Sequence, residues 1–426
     1  MSGMPGLPHH LLPDTATIAG DGRLTIGGCD VLDLVEQHGT PVFVYDEQHL
    51  RNRCREAVDA WGPGVAYASK AFLCKAMAAL AHSEGMCIDV STGGELHVAL
   101  AAGVPGDRLV LHGNNKSVVE LTAAIDAGVG RIIVDSFDEL DRLDALAIAG
   151  AHSQVLLRVT PGVEAHTHAY VMTGQEDTKF GFSLASGAAQ AAVDRVRRIP
   201  GVQLVGLHAH IGSQIFLLDS FRKEVEALAR FFNPLGLPEL CLGGGLGVAY
   251  VDGEHAPTMM EWAATVRESC AAMGVADDVR LSAEPGRSIV AAAAITVYRV
   301  GTVKHLPDIR TYVAVDGGMS DNPRPVLYGS GYEAFLPRAT DADRTMRATI
   351  VGKHCESGDV LVRDAWLPDD LEVGDILATP VTGAYGHSMA SNYNKVARPP
   401  VVFVRDGQAR VVVRRETYDD LLRLDA

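Results

Sequence analysis

Residues 65–111 read VAYASKAFLCKAMAALAHSEGMCIDVSTGGELHVALAAGVPGDRLVL, and the pattern of these residues predicts the fold class. Short, mostly apolar runs at 65–69, 87–90 and 109–111 alternate with longer amphipathic segments. Buried strands that alternate with helices of this length indicate β-α-β units and a parallel sheet. Lys70 follows the first of these runs directly, so a lysine stands at the end of the first predicted strand.

The same alternation continues to Arg287. The candidate strands are Val65–Ser69, Cys87–Val90, Leu109–Leu111, Arg131–Val134, Val155–Val159, Leu204–His210, Glu239–Leu242 and Arg280–Ala283. The candidate helices include Ala71–His82, Gly94–Ala102, Val118–Ala127, Asp138–Ile148, Ala188–Ile199, Ser220–Phe232 and Glu261–Met273. Eight strands that alternate with helices over roughly 230 residues predict an α/β fold of the (β/α)8, TIM-like barrel type. A doubly wound open sheet is the alternative.

The sequence pattern changes after about Ile295. Segments in which apolar and polar residues alternate with a period of two predict an antiparallel β-domain there. These runs are Ile295–Val303, Tyr312–Asp316, Arg347–Val351, Asp359–Arg363, Val401–Arg405 and Gln408–Arg414, before a last helix at Tyr418–Leu424. The strand-like segments Leu24–Ile26 and Pro41–Tyr45 are expected to pack with this domain. We therefore predict a barrel at 46–294 and a β-domain formed by 1–45 and 295–426, which contributes substrate and dimer contacts.

Composition excludes several classes of protein. A net charge of −16 argues against a nucleic-acid partner, because phosphate backbones require a basic face. The seven cysteines show no CxxC spacing, which fits a reducing compartment better than a disulfide framework. Residues 1–14 lack the pattern of a signal peptide, and the longest apolar run, Ile289–Val297, is too short to span a membrane. We expect a cytoplasmic protein with no membrane partner.

Polar or glycine-rich residues stand at the end of every predicted barrel strand, where barrel enzymes have their active sites. In strand order they are Lys70, Asp89, His112-Gly113-Asn114, Asp135, Arg158, His210, Gly243-Gly244-Gly245 and Glu284-Pro285-Gly286-Arg287. Loops are polar in any protein, so each residue alone would carry little weight. Together they indicate a site at this end of the barrel.

The last two strand ends indicate a phosphate site, which barrels commonly build after strands seven and eight. Three glycines let backbone N–H groups approach phosphate oxygens, and a predicted helix over Ser288–Ala294 would favour the same anion. An amine such as that of Lys70 can attach an aldehyde covalently. The combination suggests pyridoxal phosphate, with Glu284 at the pyridine nitrogen and His210 stacked on the ring.

At these residues the chain resembles the alanine-racemase-like, fold type III family of pyridoxal phosphate-dependent decarboxylases. The motifs that carry the resemblance are Tyr67-Ala68-Ser69-Lys70-Ala71, His208-Ala209-His210-Ile211-Gly212-Ser213-Gln214, Gly243-Gly244-Gly245, Glu284-Pro285-Gly286-Arg287, Arg324 with Tyr328, Cys355-Glu356-Ser357-Gly358-Asp359 and Gly383-Ala384-Tyr385-Gly386. They occur in the family's order from about Val42 to Leu424. The resemblance implies decarboxylation of meso-2,6-diaminopimelate to L-lysine and CO2, a step of lysine biosynthesis.

The resemblance also implies roles for individual residues. Lys70 would form the Schiff base and Cys355 would donate the proton that replaces CO2. The cofactor would be held by Asp89, Arg158, His210, Ser213, Gly243, Gly244, Gly245, Glu284, Gly286, Arg287 and Tyr385. The distal end of the substrate would be bound by Arg287, Arg324, Tyr328, Glu356 and Tyr385. In this family the Cys355 and Glu356 positions act in the partner subunit's site, so a homodimer with shared active sites is implied.

Several alternatives stay open at this point. The substrate could be ornithine, arginine or a modified diaminopimelate, although a distal carboxylate suits Arg324. A racemase is disfavoured by Glu284, and a non-catalytic homologue by Lys70 and Cys355. Arg324 could also be a surface arginine, and Cys355 a small buried hydrophobe.

Departures from the family pattern are Phe72 after Ala71 and Ala209 between the two histidines of the motif, and neither position carries proposed chemistry. His166 and His168 could suggest a metal site, but a solvated loop fits them better, and we predict no metal.

Overall fold

A computed structural model describes residues 4–163 and 177–426. His166 and His168 lie outside the described residues. The strands, numbered in chain order, are β1 (Thr17–Ile18), β2 (Leu24–Ile26), β3 (Cys29–Asp30), β4 (Val42–Asp46), β5 (Ala66–Ala68), β6 (Cys87–Val90), β7 (Leu109–Leu111), β8 (Arg131–Val134), β9 (Ser153–Thr160), β10 (Phe182–Ser183), β11 (Val202–His208), β12 (Glu239–Cys241), β13 (Arg280–Ser282), β14 (Ala294–Leu306), β15 (Arg310–Val315), β16 (Met346–Val351), β17 (Val360–Leu367), β18 (Ile376–Pro380), β19 (Val401–Arg405) and β20 (Gln408–Val413).

The α-helices are numbered in the same way. They are α1 (Val31–His38), α2 (Glu47–Trp61), α3 (Lys75–Ser83), α4 (Gly93–Ala101), α5 (Val118–Asp126), α6 (Phe137–Ile148), α7 (Ala188–Val196), α8 (Leu218–Phe232), α9 (Met259–Ala272), α10 (Arg287–Val290), α11 (Arg324–Tyr328) and α12 (Tyr418–Leu422). Across the described ranges, no helix combines the length and apolarity needed to cross a membrane.

The chain folds into two compact units. The barrel unit comprises Arg53–Gly247 and Ala256–Ser288, and the β unit comprises the chain up to Asn52, Val248–His255 and Ile289–Ala426. The segment Val248–His255 therefore belongs to the β unit although barrel sequence precedes and follows it. The change of sequence pattern near Ile295 does not predict this. The division of roles between the predicted domains stays a prediction.

The barrel unit confirms the predicted (β/α)8 barrel. Eight parallel strands are hydrogen-bonded in the order β5-β6-β7-β8-β9-β11-β12-β13. Ala66 N–H donates to Ala283 O at 3.0 Å and Ala68 N–H donates to Pro285 O at 3.1 Å, which joins the last strand end to the first. This closure excludes the doubly wound open sheet, and it places the carboxyl ends of all eight strands around one rim.

Side-chain caps set where several barrel helices begin. Thr92, Ser117, Ser136 and Thr258 each accept the N–H of a glutamate three residues later, at the starts of α4, α5, α6 and α9. Such caps satisfy N–H groups that have no partner within the helix. They explain why these predicted helices are correct to within two residues.

Two predicted helices differ most from the structure. A helix was expected from Ala71, but Ser69–Ala71 is a 3-10 turn, Phe72 is extended, and α3 begins only at Lys75. The carbonyl of Phe72 accepts a hydrogen bond from Tyr67 Oη at 2.6 Å, so it does not start a helix. The helix expected at Ser288–Ala294 is the four-residue α10, because β14 begins at Ala294.

The β unit confirms the predicted β-domain, with the sheet order β17-β16-β15-β14-β4-β19-β20 and β18 paired to β14. Most pairings are antiparallel, but β15 with β16 and β4 with β19 are parallel. The predicted strand at Pro41–Tyr45 is β4, which pairs with β14 and so joins the C-terminal sheet as expected. The strand β18 was not predicted.

Candidate active site

Lys70 lies two residues beyond the end of the first barrel strand, β5, close to its predicted place. It is the exposed middle residue of the turn Ser69–Ala71, between two buried neighbours. Rigid strand ends hold catalytic groups more accurately than free loops do. The position suits a nucleophilic amine at the rim of the barrel.

Glu284, just beyond β13, is the centre of a buried charged cluster. Its Oε1 lies 2.9 Å from His112 Nε2 and its Oε2 lies 3.0 Å from His208 Nε2, while Cys241 Sγ is 3.4 Å from Oε1. Glu284 and His112 are less than a tenth exposed, and His208 is 1% exposed. A buried carboxylate is stable only with such partners.

The histidines decide the charge of this carboxyl group. Burial alone would raise the pKa of Glu284, but the charges and hydrogen bonds of His112 and His208 outweigh burial and hold that pKa well below its usual range. Burial would lower the pKa of His112, but Asp89 and Glu284 raise it. Burial lowers the pKa of His208. The cluster therefore favours an ionised Glu284 whose two oxygens face the rings of His112 and His208.

Asp89, at the end of β6, lies next to this cluster. Its Oδ1 is 3.6 Å from His112 Nε2. Burial raises the pKa of Asp89 to about 7, against the opposing charge of His112. The charge of Lys70 also lowers the pKa of Asp89, which places these two predicted site residues within electrostatic reach of each other.

His210 and the glycine run form a second part of the rim. Gly244 N–H donates to His210 Nδ1 at 3.2 Å, so the imidazole accepts at Nδ1. Burial, followed by the positive charge of Lys70, holds the pKa of His210 well below its usual range. A neutral His210 with a fixed orientation is compatible with stacking on an aromatic ring, which stays a prediction.

The three glycines are needed because the backbone packs closely on both sides. A Cβ at Gly243 would lie 2.5 Å from Ala209 O, and a Cβ at Gly245 would lie 2.5 Å from Gly212 O. A Cβ at Gly244 would collide with Glu284 O. This run thus forms a narrow backbone cradle beside Glu284, which any side chain would fill.

Arg287 and Ser213 meet at the same rim. Arg287 Nη2 donates to Ser213 Oγ at 3.0 Å, and a Cβ at Gly286 would lie 2.9 Å from Ala68 O, so glycine is required between Pro285 and Arg287. Because α10 has only four residues, a guanidinium is a stronger source of positive charge here than the helix.

Arg158, in β9, is the remaining predicted cofactor residue of the barrel unit. Its Nη1 lies 3.6 Å from Asp135 Oδ2, and its guanidinium lies 4.2 Å above the ring of Phe180. Asp135 also accepts the Gly181 N–H. Strand ends four and five are therefore tied together by a charge pair.

These residues fit pyridoxal phosphate. An ionised Glu284 suits a protonated pyridine nitrogen, the glycine cradle with Arg287 and Ser213 suits a phosphate, and Lys70 suits an aldehyde. Ser288 Oγ is buried without a hydrogen-bond partner among the described residues, which leaves a hydroxyl available next to Arg287.

His112, His208 and Glu284 also have the donor set of a metal site, with their donor atoms within 4.8 Å of one another. The hydrogen bonds from both histidines to the carboxylate already use these atoms, since each Nε2 points at a carboxylate oxygen. The geometry is that of an anion held by two imidazoles.

In the β unit, Arg324 is 4% exposed, so its alternative interpretation as a surface arginine is wrong. Its guanidinium lies 4.2 Å from the ring of Tyr250, and its Nη1 donates to Tyr332 Oη at 2.7 Å. Tyr385, a predicted substrate-binding residue, also raises the pKa of Arg324, so it belongs to the same group as Tyr250 and Tyr332. Tyr328 ends the helix that Arg324 begins and is half-buried.

Cys355 and Glu356 lie on the turn between β16 and β17, and both side chains are exposed. All seven cysteines lie in the described residues, and Cys355 alone among them is exposed. The interpretation of Cys355 as a buried hydrophobe is therefore wrong. An exposed thiol beside a carboxylate is available to another molecule.

Sequence reasoning missed three residues of these groups. His208 has no predicted role beyond its place in the motif His208–Gln214, and Tyr250 and Tyr332 belong to none of the motifs. His208 and His210 are two apart on a strand and its extension, so they share one face, and this spacing could have identified His208. The tyrosines carry no comparable signal, because their contact with Arg324 depends on the fold of the β unit.

A buried carboxyl group near the Cys355 turn gives a test of pH dependence. Tyr298 Oη donates to Asp321 Oδ1 at 2.5 Å and Gly318 N–H donates to Oδ2 at 2.8 Å. Burial raises the pKa of Asp321 from 3.8 to about 7. Below pH 3.8 the folded and unfolded states are both protonated; as the pH rises towards 7, only the unfolded state loses its proton and the native state loses stability.

Between pH 4 and pH 8 the raised pKa of Asp321 should lower the free energy of unfolding by roughly 4 kcal/mol. We expect Asp321→Asn to abolish this decrease. Asparagine imitates the protonated acid, so the variant should match the parent near pH 4 and exceed it at pH 8. Urea unfolding at several pH values measures this difference. Parallel pH profiles for the two proteins would contradict the assignment.

Comparison with known proteins identifies the family of this chain. Residues 47–291, more than half of the chain, match the family model described as pyridoxal-dependent decarboxylase, pyridoxal binding domain. The match confirms the predicted enzyme class and the predicted cofactor, pyridoxal phosphate.

Individual relatives are more specific. The chain is 50% identical to diaminopimelate decarboxylase of Mycobacterium tuberculosis over 98% of both proteins. Its structure resembles diaminopimelate decarboxylase from M. jannaschii in complex with L-lysine, with a TM-score of 0.90, 34% identity and coverage of 97% and 98% of the two chains. The enzyme from Helicobacter pylori, also complexed with L-lysine, gives a TM-score of 0.84 at 31% identity over 92% and 98%. The chain therefore belongs to the diaminopimelate decarboxylase family of pyridoxal-dependent decarboxylases.

Proposed function

We propose that this protein decarboxylates meso-2,6-diaminopimelate to L-lysine and CO2, as a step of lysine biosynthesis. The proposal is supported mainly by two buried charged groups, Glu284 and Arg324. An ionised Glu284 is held between two histidines in the barrel unit, and a buried Arg324 is held between two tyrosines in the β unit. The first suits a pyridinium cofactor and the second a substrate carboxylate that does not react.

Each part of the cofactor has a proposed set of residues. Lys70 would bind the aldehyde, Glu284 the pyridine nitrogen and His210 the ring face, with Asp89 and Arg158 beside them. The phosphate would be held by Ser213, Gly243, Gly244, Gly245, Gly286 and Arg287, and Tyr385 is a further proposed cofactor residue. When bound, pyridoxal phosphate supplies an electron sink for the electrons that remain after CO2 leaves.

The chain's own residues would bind the substrate and deliver the proton. Arg324 would pair with the distal carboxylate, because a guanidinium fork binds carboxylate in a bidentate way. Arg287, Tyr328 and Tyr385 would line the same end. Glu356 would accept the distal ammonium, and Cys355 would donate a proton to the carbon that lost CO2.

The assembly and location remain proposals as well. The exposed Cys355 and Glu356 suit a homodimer in which this turn completes the partner's site. The absence of CxxC spacing and the net charge of −16 suit a cytoplasmic enzyme without a nucleic-acid partner.

Release of CO2 from diaminopimelate, ornithine, arginine and lysine tests the substrate. We expect turnover of diaminopimelate alone, because the other three lack the distal carboxylate that Arg324 would bind. Arg324→Lys should lower kcat/KM for diaminopimelate about tenfold to a hundredfold, since a lysine forms one charged hydrogen bond where the fork forms two.

Arg338→Lys is the matched control, because Arg338 is an arginine of the same unit that pairs with Asp370 and Asp375. We expect it to leave kcat/KM within a factor of about two, as surface pairs contribute little. Comparable turnover of ornithine or arginine would favour the alternative decarboxylases. CO2 release from none of the four would favour a non-catalytic homologue.

A further inference from the structure

The turn that carries Cys355 and Glu356 is anchored by its backbone. His354 N–H donates to Asp359 Oδ2 at 2.9 Å, and Met319 N–H donates to Asp359 Oδ1 at 2.6 Å. Lys353 N–H donates to Gly317 O at 2.9 Å. The turn 353–359 is therefore tied to the neighbouring turn 317–321 through one carboxylate, which is 3% exposed.

Two glycines enclose this carboxylate. A Cβ at Gly318 would lie 2.6 Å from Asp359 Oδ2, and a Cβ at Gly352 would collide with the same oxygen. Real Cβ atoms do not approach so closely, so the carboxylate fills the space that side chains would need. The base of the turn has little freedom to shift.

Asn394 holds the top of the turn. Its Oδ1 accepts the Cys355 N–H at 3.3 Å and lies 3.2 Å from His354 Nδ1. A backbone N–H can only donate, so the atom facing it must be the amide oxygen and not the nitrogen. The same oxygen then requires a proton on His354 Nδ1, which leaves Nε2 to accept from Ser320 Oγ at 2.8 Å.

The backbone at Asn394 restricts which residues can do this. Asn394 has φ of 52°, in the left-handed region that asparagine, aspartate and glycine tolerate best. Glycine would keep the backbone but lose the acceptor, whereas aspartate would keep both. An asparagine here combines the left-handed turn with a neutral oxygen beside the cysteine.

We propose that Asn394 is a positioning residue for Cys355, and that its amide oxygen, together with His354, holds the turn from which the thiol is presented. The inference rests on the proposed function, in which Cys355 donates a proton to the substrate carbon. Proton transfer needs the donor within hydrogen-bond reach of its target. An anchor on the cysteine's own N–H restricts the thiol most directly, because only the Cα and Cβ lie between them.

The test compares Asn394→Gly with Asn394→Asp in the full-length enzyme loaded with pyridoxal phosphate. We expect Asn394→Gly to lower kcat about tenfold with a smaller effect on KM, because Cys355 loses its backbone anchor whereas Glu356 keeps its backbone hydrogen bonds with His354 and Asp359. Asn394→Asp should retain most of kcat, since a carboxylate oxygen still accepts the Cys355 N–H. Equal losses in both variants would overturn the proposal.

A double-mutant cycle separates positioning from a general structural effect. If Asn394 acts through Cys355, Asn394→Gly should lower kcat no further once Cys355→Ala is present. An additional tenfold loss in the double variant would instead place the effect elsewhere in the protein and overturn the proposal.

Alkylation of Cys355 by iodoacetamide gives a second readout without turnover. The other cysteines are less exposed, so the fast-reacting thiol reports on this turn. We expect the alkylation rate to change several-fold in Asn394→Gly and to return in Asn394→Asp. If Cys355→Ala keeps the parent kcat, Cys355 is not the proton donor, and the alkylation experiment alone tests the positioning role of Asn394. An unchanged alkylation rate in Asn394→Gly would then overturn that role too.

Discussion

Replacing Lys70 by alanine is expected to abolish CO2 release from diaminopimelate and to remove covalent attachment of the cofactor. The proposed enzyme needs an amine at this rim to attach the cofactor's aldehyde, and alanine has none. After reduction with borohydride, peptide mapping by mass spectrometry should find a pyridoxyl group on Lys70 in the parent protein. No labelled peptide should be found in Lys70→Ala.

Lys75→Ala is the matched control for this experiment. Lys75 is an exposed lysine five residues further along, at the first position of α3, where alanine is tolerated well. We expect it to keep both turnover and the label on Lys70. A pyridoxyl group mapped to another lysine, or turnover in Lys70→Ala, would refute the assignment.

The barrel could be predicted because its information is local. A strand such as Leu109–Leu111 is a short apolar run, and helix α5 is preceded by the cap Ser117 with a capping glutamate three residues later. Both signals lie within a few residues. The start of α3 could not be predicted, because the Phe72 carbonyl is bound by Tyr67, a contact that depends on how the strand end folds.

Only the site residues that lie at strand ends or in motifs could be predicted from the sequence. Lys70, His210 and Glu284 were identified because each follows a strand of the barrel. The double contact of Glu284 with His112 and His208 joins residues 172 and 76 positions apart, and no local pattern encodes it. The environment of Arg324 is similar, since Tyr250 comes from a segment that belongs to the β unit although barrel sequence surrounds it.

Glu284→Gln is expected to lower kcat about a hundredfold, the size of effect seen when one electrostatic partner is removed from a preorganised site. Glutamine keeps the shape of the side chain but removes the charge that would hold a proton on the pyridine nitrogen. His112 would lose its principal hydrogen-bonded counterion, so its pKa should fall towards or below the usual value. Steady-state CO2 release measures kcat, and NMR titration of the histidine ring protons measures the change at His112.

Glu224→Gln provides the matched control, because it makes the same chemical change at a second buried glutamate of the barrel unit. Glu224, on α8, is fully buried, its oxygens have no hydrogen-bond partner among the described residues, and burial raises its pKa well above the usual range. A carboxyl group that is already neutral resembles an amide, so kcat should be unchanged. If both variants lost activity equally, the loss would reflect buried volume or packing. A large loss confined to Glu284→Gln would mean that the reaction depends on the charge which His112 and His208 stabilise.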